Sequence, residues 1–120
     1  MSFIYIIIYI ICIFANTKKR IRMWIEMSTP GALNTIGKRL KEIRLRQNIT
    51  QDEIALRAGI SKLSVFNAEA GKNISLSTLI DILRQLGLME NLEQLIPEPT
   101  ISPILMKKLK GKKRFRASNN

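Results

Sequence analysis

The 120 residues allow one small domain with tails, and 20 basic against nine acidic side chains leave a net charge of +11. One cysteine, Cys12, excludes an internal disulfide framework and fits a reducing compartment, the cytoplasm. With no histidine, no phosphate-binding glycine loop and no clustered carboxylates, neither an enzyme nor a cofactor or metal site is expected.

The charge is unevenly spread. Residues 1–27 carry four basic and one acidic side chain, a net +3; residues 28–100 carry nine and eight, a net +1; residues 101–120 carry seven and none, a net +7. The middle is thus nearly neutral and the basic excess lies at the ends, where it would favour polyanions. Three segments follow: an apolar leader at 1–27, a domain at 28–97 and a proline-flanked basic tail at 98–120.

The leader begins with an almost unbroken apolar run, Phe3 to Ala15, of thirteen residues. That falls short of the roughly 20 that a membrane-spanning helix needs. Charges at Lys18, Lys19, Arg20 and Arg22 follow the run, and no small-residue cleavage site is present. The preferred reading is a leader outside the mature protein, which would start at Met23 or Met27; a membrane anchor formed by residues 3–15 is the alternative. A membrane partner is therefore not expected. As a translated segment, the run is an aggregation hazard.

Ser28 to Leu33, with Pro30 and Gly31, reads as a flexible lead-in. Asn34 is expected to cap a first helix from Thr35 to about Gln47, with Ile36, Leu40 and Ile43 inward, Leu45 partly covered, and Lys38, Arg39, Lys41 and Arg46 outward. Arg44 falls on the inner side. After Asn48-Ile49, Thr50 and Glu53 form a capping-box pattern for a second helix from Gln51 to Ala58, with Ile54, Ala55 and Ala58 on one face. Gly59 ends it and Ser61 caps a third helix, Lys62 to Ala70, which buries Val65, Ala68 and Glu69 and is stopped by Gly71. Two helices of about eight residues joined through a glycine turn have the geometry that lays the second helix in a DNA major groove. Lys62 and Leu63 in its leading turn, Ser64, Phe66, and Asn67 one turn on are the expected outward residues. Lys can donate to guanine, Asn can pair with adenine, and an aliphatic group can pack on a thymine methyl. Lys72 and Asn73 would meet the sugar-phosphate strand, which positions a protein without reading sequence.

Ser75 or Ser77 caps a fourth helix to Leu86, with a 3.6-residue stripe at Leu76, Leu79, Ile82, Leu83 and Leu86, and Gly87 ends it. A short fifth helix, Leu88 to Ile96, carries Leu88, Leu92, Leu95 and Ile96. Four helices already bury most of a core this size, so this stripe is expected to form a homodimer interface.

The run TQDEIALRAGIS, followed by a helix ending in Glu69-Ala70-Gly71, resembles the Xre/Cro helix-turn-helix family of bacterial and phage repressors. Ile36 to Arg44 before it and Ser77 to Gly87 after it agree, so the resemblance spans roughly Asn34 to Ile96. The resemblance implies an all-α, five-helix Cro/repressor-like (lambda repressor-like) domain and a sequence-specific DNA-binding regulator, an autorepressor bound to an inverted repeat as a homodimer. It also implies a partly buried ion pair between Arg44 and Glu69 and a phosphate contact from Gln51. Together with Ser61, Lys62, Leu63, Ser64, Phe66, Asn67, Lys72 and Asn73, Gln51 completes the expected DNA-binding set.

Pro97, Pro99 and Pro103 end the helical part. The tail beyond has an apolar half, Ile101 to Met106 and Leu109, suited to grip a partner. Its basic end is expected to be disordered alone and to follow DNA phosphates. A helix-turn-helix domain followed by Ser102-Pro103-Ile104 and a Lys/Arg-rich end also resembles the HipB-type antitoxins. That resemblance implies a HipA-like kinase toxin as a partner.

Overall fold

Cap residues and apolar spacing cut this chain into helices. The computed structural model describes residues 2–100, 102–109 and 116. Among them every regular element is a helix: α1 (Ser2–Glu26), α2 (Thr29–Arg46), α3 (Gln51–Ala58), α4 (Lys62–Glu69), α5 (Leu76–Leu86), α6 (Asn91–Leu95) and α7 (Pro103–Leu109). The all-α class expected from the sequence is the class found, and α2 to α6 are the five helices of the Cro/repressor-like pattern. The chain divides into two compact units, Met1–Leu88 and Met89–Asn120.

In the first unit α4 is central, packing against α2, α3 and α5, while α3 also packs against α5. The core is Leu40 from α2, Ile54 and Ala55 from α3, Val65 and Ala68 from α4, and Ile82 and Leu86 from α5. Ile36, Ile43, Ile49, Ile60, Ile74, Leu79, Leu83 and Leu88 close around it. Burying each large aliphatic side chain is worth roughly 1.5–3 kcal/mol, so this cluster is the main source of stability. Gln47 ties the ends of two helices by donating from Nε2 to the Leu86 carbonyl at 2.9 Å.

The caps follow the sequence closely in α3 to α5. The Thr50 hydroxyl accepts from the Glu53 amide at 3.1 Å, and the Glu53 carboxylate accepts from the Thr50 amide at 2.9 Å, which completes the capping box. Gly59 then takes the left-handed conformation, φ 69° and ψ 29°, which a side chain would strain. Ser61 accepts from the Ser64 amide to start α4, and Ser75 rather than Ser77 accepts from the Thr78 amide to start α5.

Four expectations are corrected. The first domain helix begins at Thr29, not Thr35, because Ser28 caps it by accepting from the Gly31 amide at 3.3 Å. Pro30 lies in that opening turn, where its missing N–H has no helical partner to lose. Leu45 is exposed, because it lies about 100° round the helix from Arg44. Leu76 is exposed at the first position of α5, so the buried stripe starts at Leu79. The N-terminal helix does not stop with the apolar run at Ala15: α1 continues through Lys18, Lys19, Arg20 and Arg22 to Glu26, a helix of 25 residues with none buried, longer than the thirteen apolar residues alone would give. It is the one helix among the described residues that is long and apolar enough to cross a membrane. Near its end the Trp24 ring meets the Arg39 guanidinium at 4.9 Å.

In the second unit α6 is shorter than expected, starting at Asn91 because Met89 and Glu90 form a turn and no side chain caps it. Leu95 and Ile96 are exposed. Pro103, expected to end the helical part, instead opens α7, where its missing N–H has no helical partner to lose, and Lys107 and Lys108 lie in the last turn of that helix and not in a disordered tail. The rest of the basic run, 110–115, lies outside the described residues.

Candidate nucleic-acid interface

The interface is built by holding α4 at a fixed angle to α2 and α3. Gly37 sets the distance to α2. A Cβ at that position would come within 2.6 Å of the Ala68 and Glu69 carbonyl oxygens, so only glycine allows the two backbones this close. Below it, Arg44 and Glu69 lock the angle. Arg44 Nε donates to Glu69 Oε1 at 2.6 Å and Nη2 to Oε2 at 3.1 Å, while Nη1 donates to the Ile49 carbonyl at 2.9 Å. The two side chains are only 8% and 6% exposed. Every arm of this planar fork has an acceptor, which is what a buried guanidinium requires.

Gln51, the first residue of α3, adds a third donor to the same carboxylate, Nε2 to Glu69 Oε2 at 2.8 Å. One carboxylate thus ties together α2, α3 and α4. Asp52 and Glu53 place two acidic groups in the first turn of α3, opposing the positive end of its dipole.

With Val65 and Ala68 in the core, α4 turns its other side outward. Lys62 and Leu63 are exposed in the leading turn, with Phe66 exposed one turn on; Ser64 and Asn67 are half-buried. Ser64 shares its hydroxyl with that of Ser61 at 2.8 Å, so both are engaged at the helix start. Lys62 Nζ donates to Asp52 Oδ2 at 2.9 Å across the turn. Lys72, just past α4, lies with Nζ 5.7 Å from the Phe66 ring centre, and Asn73 beside it is exposed. Gln51, Lys62, Leu63 and Phe66 line one open depression; Lys41, Gln51, Phe66, Glu69 and Ala70 line a second.

The set expected to touch DNA is therefore divided. Gln51 faces two ways, bracing Glu69 and lining the groove. Leu88, expected in a dimer interface, packs on the core of the first unit; Leu92 is half-buried, and Leu95 and Ile96 are exposed. Sequence reasoning missed Asp52 as the partner of Lys62, because ten residues is no helical repeat. It also missed Gly37, whose one signal is a glycine where helix propensity disfavours it. Among the described residues no cluster of Cys, Asp and Glu gathers that could hold a metal ion.

Two short helices joined by a left-handed glycine, the second presenting its outer face and pinned by a buried ion pair, define a helix-turn-helix DNA-binding module. Residues 40–88 match the Helix-turn-helix family model, which is of the Xre/Cro type. No curated protein matches the chain. The protein is a DNA-binding transcriptional regulator.

Proposed function

We propose that this regulator acts in the cytoplasm as an autorepressor, binding an inverted-repeat operator as a homodimer with one α4 in each major groove. The observation that carries it is the two-sidedness of α4: Val65 and Ala68 anchor it, while Lys62, Leu63 and Phe66 stand clear of the core. Ser61, Ser64 and Asn67 complete the base-facing side, and Gln51, Lys72 and Asn73 take sugar-phosphate contacts. Leu92, Leu95 and Ile96 supply apolar surface for the two-fold contact. A HipA-like kinase toxin is the proposed partner of the tail, in line with the Ser102-Pro103-Ile104 sequence and the basic residues after it.

The test is a gel shift on the DNA upstream of the protein's own gene, with and without the product of the adjacent gene. Retardation at physiological salt that resists random competitor duplex supports the reading, and a supershift with the neighbour supports the toxin partner. Equal retardation of specific and random duplex counts against sequence-specific repression.

A second reading is favoured by α1, which is exposed from Ser2 to Met23 and apolar enough to span a bilayer. Residues 3–15 would then tether the regulator, with Lys18, Lys19, Arg20 and Arg22 on the cytoplasmic side. Recovery of the cellular protein in the detergent-soluble membrane fraction supports a tether. A soluble protein whose first residue is Met23 or Met27 removes it.

A further inference from the structure

We infer that α4 reads its site chiefly through the C5-methyl groups of thymine, using Leu63 and Phe66 as an apolar pair. This rests on the reading of α4 as the helix in the major groove. Leu63 is 65% exposed and Phe66 48%, and three residues apart they share one face of the helix. With Gln51 and Lys62 they line an open depression on the outer side of α4.

The polar groups beside them are already committed. Lys62, the one cation of α4, is held by Asp52 at 2.9 Å, so reaching a guanine edge means giving up that partner. Gln51 donates to Glu69, and the Ser61 and Ser64 hydroxyls face each other. Asn67 is half-buried. What α4 offers most freely is hydrocarbon. The major groove presents one apolar group on the base edges, the thymine methyl, and guanine–cytosine pairs present none. Lys72, lying over the Phe66 ring, biases that ring toward one position. The ligand class that follows is duplex DNA with a methyl-bearing pyrimidine at the positions under Leu63 and Phe66, and 5-methylcytosine, with its methyl on the same carbon, is accepted there as well.

The experiment selects tight-binding duplexes with the full chain from a random-sequence pool. The selected duplex is then remade with deoxyuridine for thymine at single positions, which removes only the methyl. Burying one such group is worth about 0.8 kcal/mol, so each contacted methyl is expected to change affinity about fourfold. In the same duplex a thymine–adenine to cytosine–guanine change weakens binding, and 5-methylcytosine in that place restores part of the loss. Leu63→Ala and Phe66→Ala, both at exposed positions, are expected to lower affinity for the thymine duplex and to flatten the thymine-to-uracil ratio toward one. Equal binding of thymine and uracil duplexes, or an unchanged ratio in both variants, overturns the inference while leaving DNA binding intact. Failure to enrich any duplex overturns the major-groove reading of α4, and this inference with it.

Discussion

At the scale of single residues, the site depends on one carboxylate. Glu69 accepts two bonds from Arg44 and one from Gln51. Arg44→Ala would leave that buried carboxylate with Gln51 alone. Removing one member of a buried pair costs about 3–5 kcal/mol, a large part of the stability of a domain this size. A urea titration of the variant checks this, and a loss under about 1 kcal/mol would mean that the pair is solvated in solution. Gly37 sets two effects against each other. Alanine has the better helix propensity by about 1 kcal/mol, but its Cβ would enter two backbone carbonyls at 2.6 Å. Backbone cannot swing aside as a side chain does, so overpacking wins. Gly37→Ala is expected to destabilise by about 1–3 kcal/mol in the same titration, where an open helix position would have gained. Neither residue's role follows from spacing alone. Arg44 and Glu69 stood out through a family resemblance, and the close approach at Gly37 depends on where α4 lands.

Among the elements, legibility tracks local chemistry. The limits of α3 to α5 could be read to within a residue, because Thr50, Ser61 and Ser75 cap their own helices and Gly59 and Gly87 close α3 and α5 in the left-handed region. The start of α2 was misplaced because Pro30 and Gly31 resemble breakers, whereas a proline in the first turn breaks nothing. The length of α1 was hidden because Lys18 to Arg22 look like an end, yet long basic side chains sit readily in an exposed helix. The pattern that puts Leu76 inward and Leu45 under partial cover ignores how far a helix end or a 100° step turns from the core. The α3 cap supports a pH prediction. The Thr50 amide bond, aided by the nearby Arg57 charge and the Thr50 hydroxyl, holds the Glu53 carboxyl below its ordinary value of 4.5. A carboxyl depressed in the folded state stabilises it above the ordinary carboxylate range. That contribution is lost as pH falls through the folded value. Thermal unfolding should therefore separate wild type from Glu53→Gln at pH 7, with the gap closing toward pH 3. A gap that widens in acid would mean that the carboxylate is no cap in solution.

For the whole molecule, the distribution of charge separates affinity from selectivity. Residues 28–100 are nearly balanced at +1, while residues 101–120 add +7 with no acidic residue among them. Within the domain Asp52 offsets Lys62, and Asp52 and Glu53 oppose the dipole of α3. The helix-turn-helix unit is therefore expected to bind polyanions in general weakly, with its affinity for a chosen site coming from fit. The tail has the opposite composition: its attraction to phosphate is the same for every sequence. Each phosphate neutralised adds about 0.9 to the slope of log affinity against log salt. If all seven cations engage the duplex, removing residues 101–120 lowers that slope by about 6; partial engagement lowers it in proportion. The truncated chain should lose more affinity for random duplex than for its selected site, so the ratio between the two rises even as both weaken. Binding isotherms of the full and truncated chains between about 50 and 200 mM salt, on both duplexes, measure slope and ratio together. An unchanged slope would mean that the tail's charge serves a protein partner instead of DNA. Equal losses on both duplexes would mean that the tail and α4 do not divide affinity and selectivity between them.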